Sequence, residues 1–400
     1  MWEQIRSNQI RSVALVAGMG MLLVLIGYFL GESFLGSATA GLIIALAVWA
    51  FMNLIAYFQG DSILLSVSRA RKISRDDHPR LYNVVEEMKI ASGLEKMPDI
   101  YIIDDPAPNA FATGRSPQKA AVAVTTGLLQ RLNRDELQGV VGHEVAHIKN
   151  RDVLLMSMAG VLLGTIVLLA WYGTRMMFFS SMTGGRRSSG SGGGGQAQLI
   201  ILAVALVLMI LAPIAAQLLY FSISRKREYL ADASSALYTR YPEGLASALE
   251  KIAASPQQLK AVNKATAPMY TVNPFRAKGR AASDLTSTHP PISERVRILR
   301  AMGGASVADY EKSYQQVKHK GLMPSSALAG VAAVPLRAAS AAAEGEPADM
   351  VQRTRETSDL MWRKGKYRTV TCKCGTRFRV PPDFKQPAFR CPRCGSINQL

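Results

Sequence analysis

The chain has 400 residues, of which 48% are hydrophobic; that length allows two or three domains. Its 47 Lys and Arg outnumber its 29 Asp and Glu, a formal charge of +18. The four Cys all lie beyond residue 370, which excludes a disulfide-stapled fold for the rest of the chain and fits a reducing, cytoplasmic setting.

The chain opens on two uncharged apolar runs, residues 12–31 and 37–60. Each is long enough to cross about 30 Å of hydrocarbon at about 1.5 Å per helical residue. The first lacks a small-residue cleavage site and is followed at once by a second run, so it reads as an anchor and not a removed leader. "GESFLG" between the runs has one Glu and no Lys or Arg, whereas "SVSRARKISRDDHPR" after them is strongly basic. By the positive-inside rule, the N-terminus and the segment after residue 61 face the cytoplasm. Two further runs, 153–174 and 198–222, form a second hairpin. Its loop carries Arg175, Arg186 and Arg187 without an acid, against the rule, so this hairpin is expected to be shallow or partly inserted. "RRSSGSGGGG" in that loop reads as a flexible linker.

Residues 62–150 read as a mixed α/β unit. "HPRLYNVVEEMKIASG" has helical spacing, with Leu81, Val84, Val85, Met88 and Ile90 as its apolar side and Gly93 as its stop. "DIYIID", "NAFATG" and "AAVAVTTGLL" read as strands. Asn133, with Glu136 three positions on, opens a capped helix that carries "HEVAHIKNRD". Residues 223–302 are helix-rich. Residues 303–350 read as a partly disordered linker, because 323–349 is Ala-, Ser- and Pro-biased with no period. His78 and His319 have no partner pattern and read as surface residues.

His143 and His147 are four apart, so a helix points both from one face, one turn apart. Neutral imidazoles so placed can bind one Zn²⁺, and Glu144 beside the first can reach water without ligating the metal. Glu228 and Asp232, in "RKREYLADASS", are also four apart on a later helix. Glu228 can complete the metal shell while Asp232 accepts a hydrogen bond from a ligand His. The two pairs bracket the second hairpin, and a hairpin returns the chain to where it left.

"NAFATG", "HEVAHIKNRD", "RKREYLADA" and "STHPPISERV", in this order over about residues 10–302, resemble the M48 zinc metalloproteases, in particular their bacterial membrane-bound, heat-shock-type branch. The resemblance implies an α+β, mainly helical, zincin-like (gluzincin) domain over 62–302, interrupted by the second hairpin and anchored by the first, which spans 1–61. It implies one catalytic Zn²⁺ on His143, His147 and Glu228, with Glu144 as general base and then acid, and Asp232 supporting a ligand. His289 and Arg295 match positions that look like oxyanion stabilisers. Asn109, Ala110, Phe111, Ala112 and Thr113 match an edge strand that holds an extended substrate. The implied enzyme is an endopeptidase of the bacterial cytoplasmic membrane, with its active site facing the cytoplasm and misfolded membrane proteins as substrates. An intramembrane protease and a non-catalytic membrane scaffold are the competing classes. Lys149, Arg151 and Asp152 count against the former, since they put the motif at or outside the interface.

Residues 351–400 close the chain. Cys372, Cys374, Cys391 and Cys394 form two close pairs, the pattern of a Cys₄ zinc ribbon with one structural Zn²⁺, although the first pair is C-x-C and not C-x-x-C. The module holds twelve Lys or Arg against three Asp or Glu. A protein partner or anionic lipid heads are the expected contacts, with nucleic acid the least expected of the three.

Overall fold

The computed structural model describes residues 2–182, 195–257, 259, 289–340 and 347–400; "RRSSGSGGGG", read above as a flexible linker, lies outside them except for its last glycine, Gly195, which opens a helix. Helix α1 (Trp2–Leu30) continues through a π turn at Gly31–Leu35, and α2 (Ala38–Val67) returns beside it. The turn is tight because glycines face each other: a Cβ on Gly41 would lie 2.6 Å from the Gly31 Cα. Two stretches, Val16–Leu35 and Ala38–Ile55, are long and apolar enough to cross a membrane. After β1 (Arg71–Lys72) comes α3 (Pro79–Ser92), which ends at Gly93 with φ 67°. Leu81, Val84, Val85 and Met88 are buried as expected, but Ile90 is 69% exposed. It falls on the outer side of the last turn, so the spacing gave one apolar position too many.

Strands β2 (Asp99–Ile103), β3 (Ala110–Gly114) and β4 (Ala120–Thr125) join β1 in a sheet of order β1-β2-β4-β3. β2 and β4 are parallel and β3 runs antiparallel to β4, leaving β3 at the edge. The expected strand "AAVAVTTGLL" stops halfway. Thr125 caps α4 (Thr126–Arg131) by accepting from the Leu128 amide, so the second half is helical. Helices α5 (Arg134–Lys149) and α6 (Asp152–Met182) follow, then α7 (Gly195–Thr239), α8 (Pro242–Ala254), α9 (Ile292–Arg300) and α10 (Val307–Lys318). The core lies between the sheet, α3, α5, α8, α9 and the C-terminal part of α7. A second cluster joins α1, α6 and α7 through Leu23, Ile26, Leu162, Ile166 and Ala216, while Leu25, Ile44, Leu168 and Ile214 point outward and are exposed.

The segment after residue 302, expected as a linker, is docked over much of its length. Beyond α10 come a single turn, α11 (Ser325–Leu328), and an extended strap. Arg337 Nη2 donates to Asp135 Oδ1 at 2.7 Å, its amide donates to Arg240 O at 2.9 Å, and Ser340 N and Oγ also bond Asp135. Helix α12 (Pro347–Lys364) places Leu360 and Met361 in the main core. Two hairpins end the chain, β5 (Arg368–Thr371) with β6 (Arg377–Val380) and β7 (Ala388–Arg390) with β8 (Ile397–Gln399).

Candidate metal centre

Helix α5 starts with the expected capping box: Asn133 Oδ1 accepts from the Glu136 amide and Glu136 Oε2 from the Asn133 amide, both at 2.9 Å. The box satisfies two amides that have no partner in the helix. Glycines then bring α5 almost to backbone contact with its neighbours. A Cβ on Gly139 would lie 2.6 Å from the Leu245 amide of α8, and one on Gly142 3.1 Å from Ser235 Oγ of α7. Ser235 Oγ closes the crossing by donating to Gly139 O at 2.7 Å. One turn beyond this contact, His143 and His147 of α5 meet Glu228 and Asp232 of α7.

His143 Nε2 and His147 Nε2 are 3.2 Å apart. Glu228 faces both, with Oε2 3.5 Å from His143 Nε2 and Oε1 3.4 Å from His147 Nε2. Three ligands held at about 2.0–2.1 Å in a tetrahedral shell stand about 3.3–3.4 Å from one another. The observed spacings match that shell without rearrangement. Glu228 Oε2 is buried and accepts no hydrogen bond among the described residues, so a buried anionic oxygen is left for a cation. The donor set, two imidazoles and one carboxylate, suits Zn²⁺ and leaves a fourth position open.

The groups behind these three fix their orientation. His143 Nδ1 is 2.9 Å from Asp232 Oδ1, and Arg295 grips Asp232 with both Nε (2.8 Å) and Nη2 (2.6 Å). His143, Asp232 and Arg295 are all fully buried, so the guanidinium balances the carboxylate where water cannot. His147 Nδ1 is 3.3 Å from Asp152 Oδ2, and Arg227 Nε is 3.6 Å from the other oxygen of Asp152. The sequence reading missed Asp152 and Arg227. Asp152 was in view, five residues after His147, but an acid at the start of an apolar helix reads first as a dipole partner. Burial alone would lower the His147 imidazole, but hydrogen bonds to Asp152 and Glu228 raise it to about 10. Burial would likewise raise the Glu228 carboxyl, and the imidazoles around it hold it well below the carboxylate range. In this pairing protons occupy the places a metal would take.

Glu144 is buried next to His143. His289 Nε2 and Arg295 Nη1 approach Glu228 Oε2 from the other side, at 3.7 and 3.5 Å. Burial pushes the His289 imidazole down to about 4, so it is neutral near pH 7. Arg295 therefore pairs with the carboxylates of α7 as well as lying beside the centre. Ala110, Phe111, Ala112 and Thr113 form the edge strand β3, with Asn109 just before it, its carbonyl accepting from the Thr125 amide at 3.0 Å. Their side chains are buried. His78, expected at the surface, is instead buried and caps α3, its Nδ1 accepting from the Leu81 amide at 3.2 Å.

A second cluster lies in the tail. The sulfurs of Cys372, Cys374, Cys391 and Cys394 lie within 4.8 Å of one another, with Cys372–Cys394 at 3.4 Å and Cys374–Cys391 at 3.8 Å. Zinc–sulfur bonds of about 2.3 Å give a tetrahedral edge of about 3.8 Å. Each pair sits in a turn closed by its glycine. The Gly375 amide donates to Cys372 O, three residues back, at 2.9 Å, and the Gly395 amide to Cys391 O, four residues back, at 2.8 Å, with φ 80° and 73°. The C-x-C pair is one residue shorter because its turn is one residue tighter, which Gly375 permits.

Two histidines on α5 and a glutamate on α7, meeting where an apolar hairpin leaves and returns, form a buried centre of the peptidase type beside helices apolar enough to cross a membrane. The profile of Peptidase family M48 matches residues 75–303, and the chain belongs to that family. It is 47% identical to "Protease HtpX homolog" of Dictyoglomus turgidum over 302 residues, 76% of this chain and 95% of the relative. It is 44% identical to "Protease HtpX homolog" of Streptococcus pneumoniae over 76% of this chain and 100% of the relative. The chain is thus an M48 protease of the HtpX-like, membrane-associated kind. A crystal structure of S. mikatae Ste24p aligns with 75% of this chain and 67% of its own at 18% identity and a TM-score of 0.40, too loose a likeness to carry a residue-level argument.

Proposed function

We propose that the protein is a zinc-dependent membrane endopeptidase with His143, His147 and Glu228 as metal ligands. The convergence of their three ligand atoms at 3.2–3.5 Å, beside a buried Glu144, carries this reading. Zinc bound there supplies Lewis acidity, which acidifies water and polarises a peptide carbonyl. The chain's own groups do the rest. Glu144 takes the proton of the attacking water on its carboxylate and hands it to the leaving amine. Arg295 and His289 are the N–H donors that the family resemblance offers to the developing oxyanion, and a neutral His289 still has one N–H. Asp232 and Asp152 hold the ligand imidazoles by their far nitrogens, which fixes the tautomer and ring angle. As the edge strand of the sheet, β3 is the element proposed to hold an extended peptide by backbone hydrogen bonds, a mode that tolerates many sequences.

The domain reading follows from the same assignment. Residues 1–61 anchor the chain, 62–302 form the protease with a second hairpin inserted, and the tail read as 351–400 adds, beyond the end of helix α12, a ribbon with a structural Zn²⁺. The exposed apolar side chains of α6 and α7 support crossing or deep immersion of that hairpin, giving four membrane helices. Basic residues at 69–80 favour a cytoplasmic active site in a bacterial inner membrane. Misfolded membrane proteins are the substrate class that the family suggests.

The test uses the full chain, purified in detergent without metal and then given Zn²⁺. Cleavage of an unfolded protein and of the enzyme itself is followed for wild type and Glu144→Gln, with zinc content measured on both. Zinc-dependent cleavage lost in the variant, with zinc retained, is the expected result. Equal cleavage by both would reject the role of Glu144.

A further inference from the structure

We propose that the protease carries a binding site for an anionic phospholipid headgroup where its anchor helices meet the catalytic domain. A cavity of about 470 Å³ opens there, lined by Val13 of α1, Tyr57 of α2, Arg115 in the β3–β4 turn, and Arg151, Val153 and Leu154 at the junction of α5 and α6. Three separate helices set its depth. Val13 lies at the start of the apolar run 12–31, Tyr57 near the end of the run 37–60, and Val153 and Leu154 at the start of the run 153–174. All three are at the ends of runs on the side of the basic segment 69–80, which puts the cavity at the boundary between hydrocarbon and headgroups.

Its lining has the chemistry of an amphiphile. The Arg115 guanidinium lies over the rings of Tyr57 and Phe58, at 5.8 and 5.7 Å. Stacked in this way, it is held in place while its N–H fork stays available to a phosphate. Neither Arg115 nor Arg151 bonds a carboxylate among the described residues. Two cations without anions beside Val13, Val153 and Leu154 fit a phosphodiester and the upper part of its acyl chains. The cavity touches Gly114, the last residue of β3, and Ile148, the neighbour of His147. A bound headgroup would therefore brace the end of the strand proposed to hold substrate.

This inference rests on the membrane reading, and the two are tested separately. Alkaline extraction of membranes reads the first: release of the protein would sink the membrane reading. For the site, a fluorescent phosphatidylglycerol is bound to the detergent-purified full chain and competed with unlabelled phosphatidylglycerol, phosphatidylcholine and inorganic phosphate. Phosphatidylglycerol is expected to compete saturably and the other two weakly. Arg115→Gln and Arg151→Gln should each weaken binding about fivefold, the effect of one basic residue near a charged membrane surface. Lys320→Gln, an exposed cation just beyond α10 and away from the cavity, should leave it unchanged. Equal competition by phosphatidylcholine or by phosphate alone would overturn the assignment. If either glutamine variant does not fold, Leu154→Trp decides by filling the cavity: undiminished saturable binding would overturn the proposal.

Discussion

Asp232 carries more of the centre than any ligand does. It orients His143, neutralises Arg295 and is itself sealed from water. Asp232→Asn is expected to weaken zinc binding by about 10–100-fold, read by competition with a chromogenic chelator. Asp152→Asn should cost less, because His147 is 15% exposed and water can replace the lost acceptor. His78 makes a different prediction. Burial holds its imidazole down to about 4, against 6.5 when unfolded. The folded state therefore binds fewer protons than the unfolded state between these values, and stability falls as pH drops from about 6.5 towards about 4. Protonation would also remove the Nδ1 acceptor that caps α3. Hydrogen exchange of the α3 amides, in zinc-free protein, should speed up across that window in wild type and less in His78→Asn, which keeps a capping oxygen.

Among the elements, α7 decides the architecture. It is one helix from Gly195 to Thr239, with Pro213 inside it, so the apolar run and the Glu228–Asp232 pair share one continuous helix. This helix meets α5 at a glycine contact, and α8 meets α5 at another. Gly139→Ala would drive a methyl against the backbone of Leu245. It is expected to destabilise the protein by about 1–3 kcal/mol, the usual penalty for overpacking. Gly164→Ala in α6 is the control. A Cβ there meets nothing within 4 Å, so the change should gain roughly 0.5–1 kcal/mol from helix propensity. Thermal inactivation of the two variants in one detergent makes the comparison.

On the scale of the molecule, the C-terminal quarter is more than an appendage. The strap binds the first turn of the active-site helix through Arg337 and Asp135, and α12 lends Leu360 and Met361 to the core. Truncation after Gly365 removes only the ribbon and should leave unfolding and peptide cleavage close to wild type. Truncation after Ser340 also removes α12, exposes the surface that Leu360 and Met361 cover, and should lower the unfolding midpoint by several degrees. Equal midpoints for the two truncations would mean that α12 adds no stability. In the full chain, Cys391→Ser should lower tail zinc content without changing zinc at the histidine site.

The sequence by itself determined the local elements and the chemistry. Periodicity and caps are short-range properties, so α3, the Asn133 capping box and the His143–His147 spacing could be read from neighbours alone. The same local view misjudged His78, Ile90 and the strap, whose burial depends on residues far along the chain. Glu228 beside the histidines and Asp232 behind one of them were expected from spacing and the hairpin; only the tertiary structure brought Asp152 and Arg227 behind His147 and clasped Asp232 with Arg295. It also showed that a patternless Ala-rich segment is held by one arginine on a buried aspartate. The physical reason is range: backbone preference acts over a few residues, whereas desolvation and ion pairing act between any groups that packing makes adjacent.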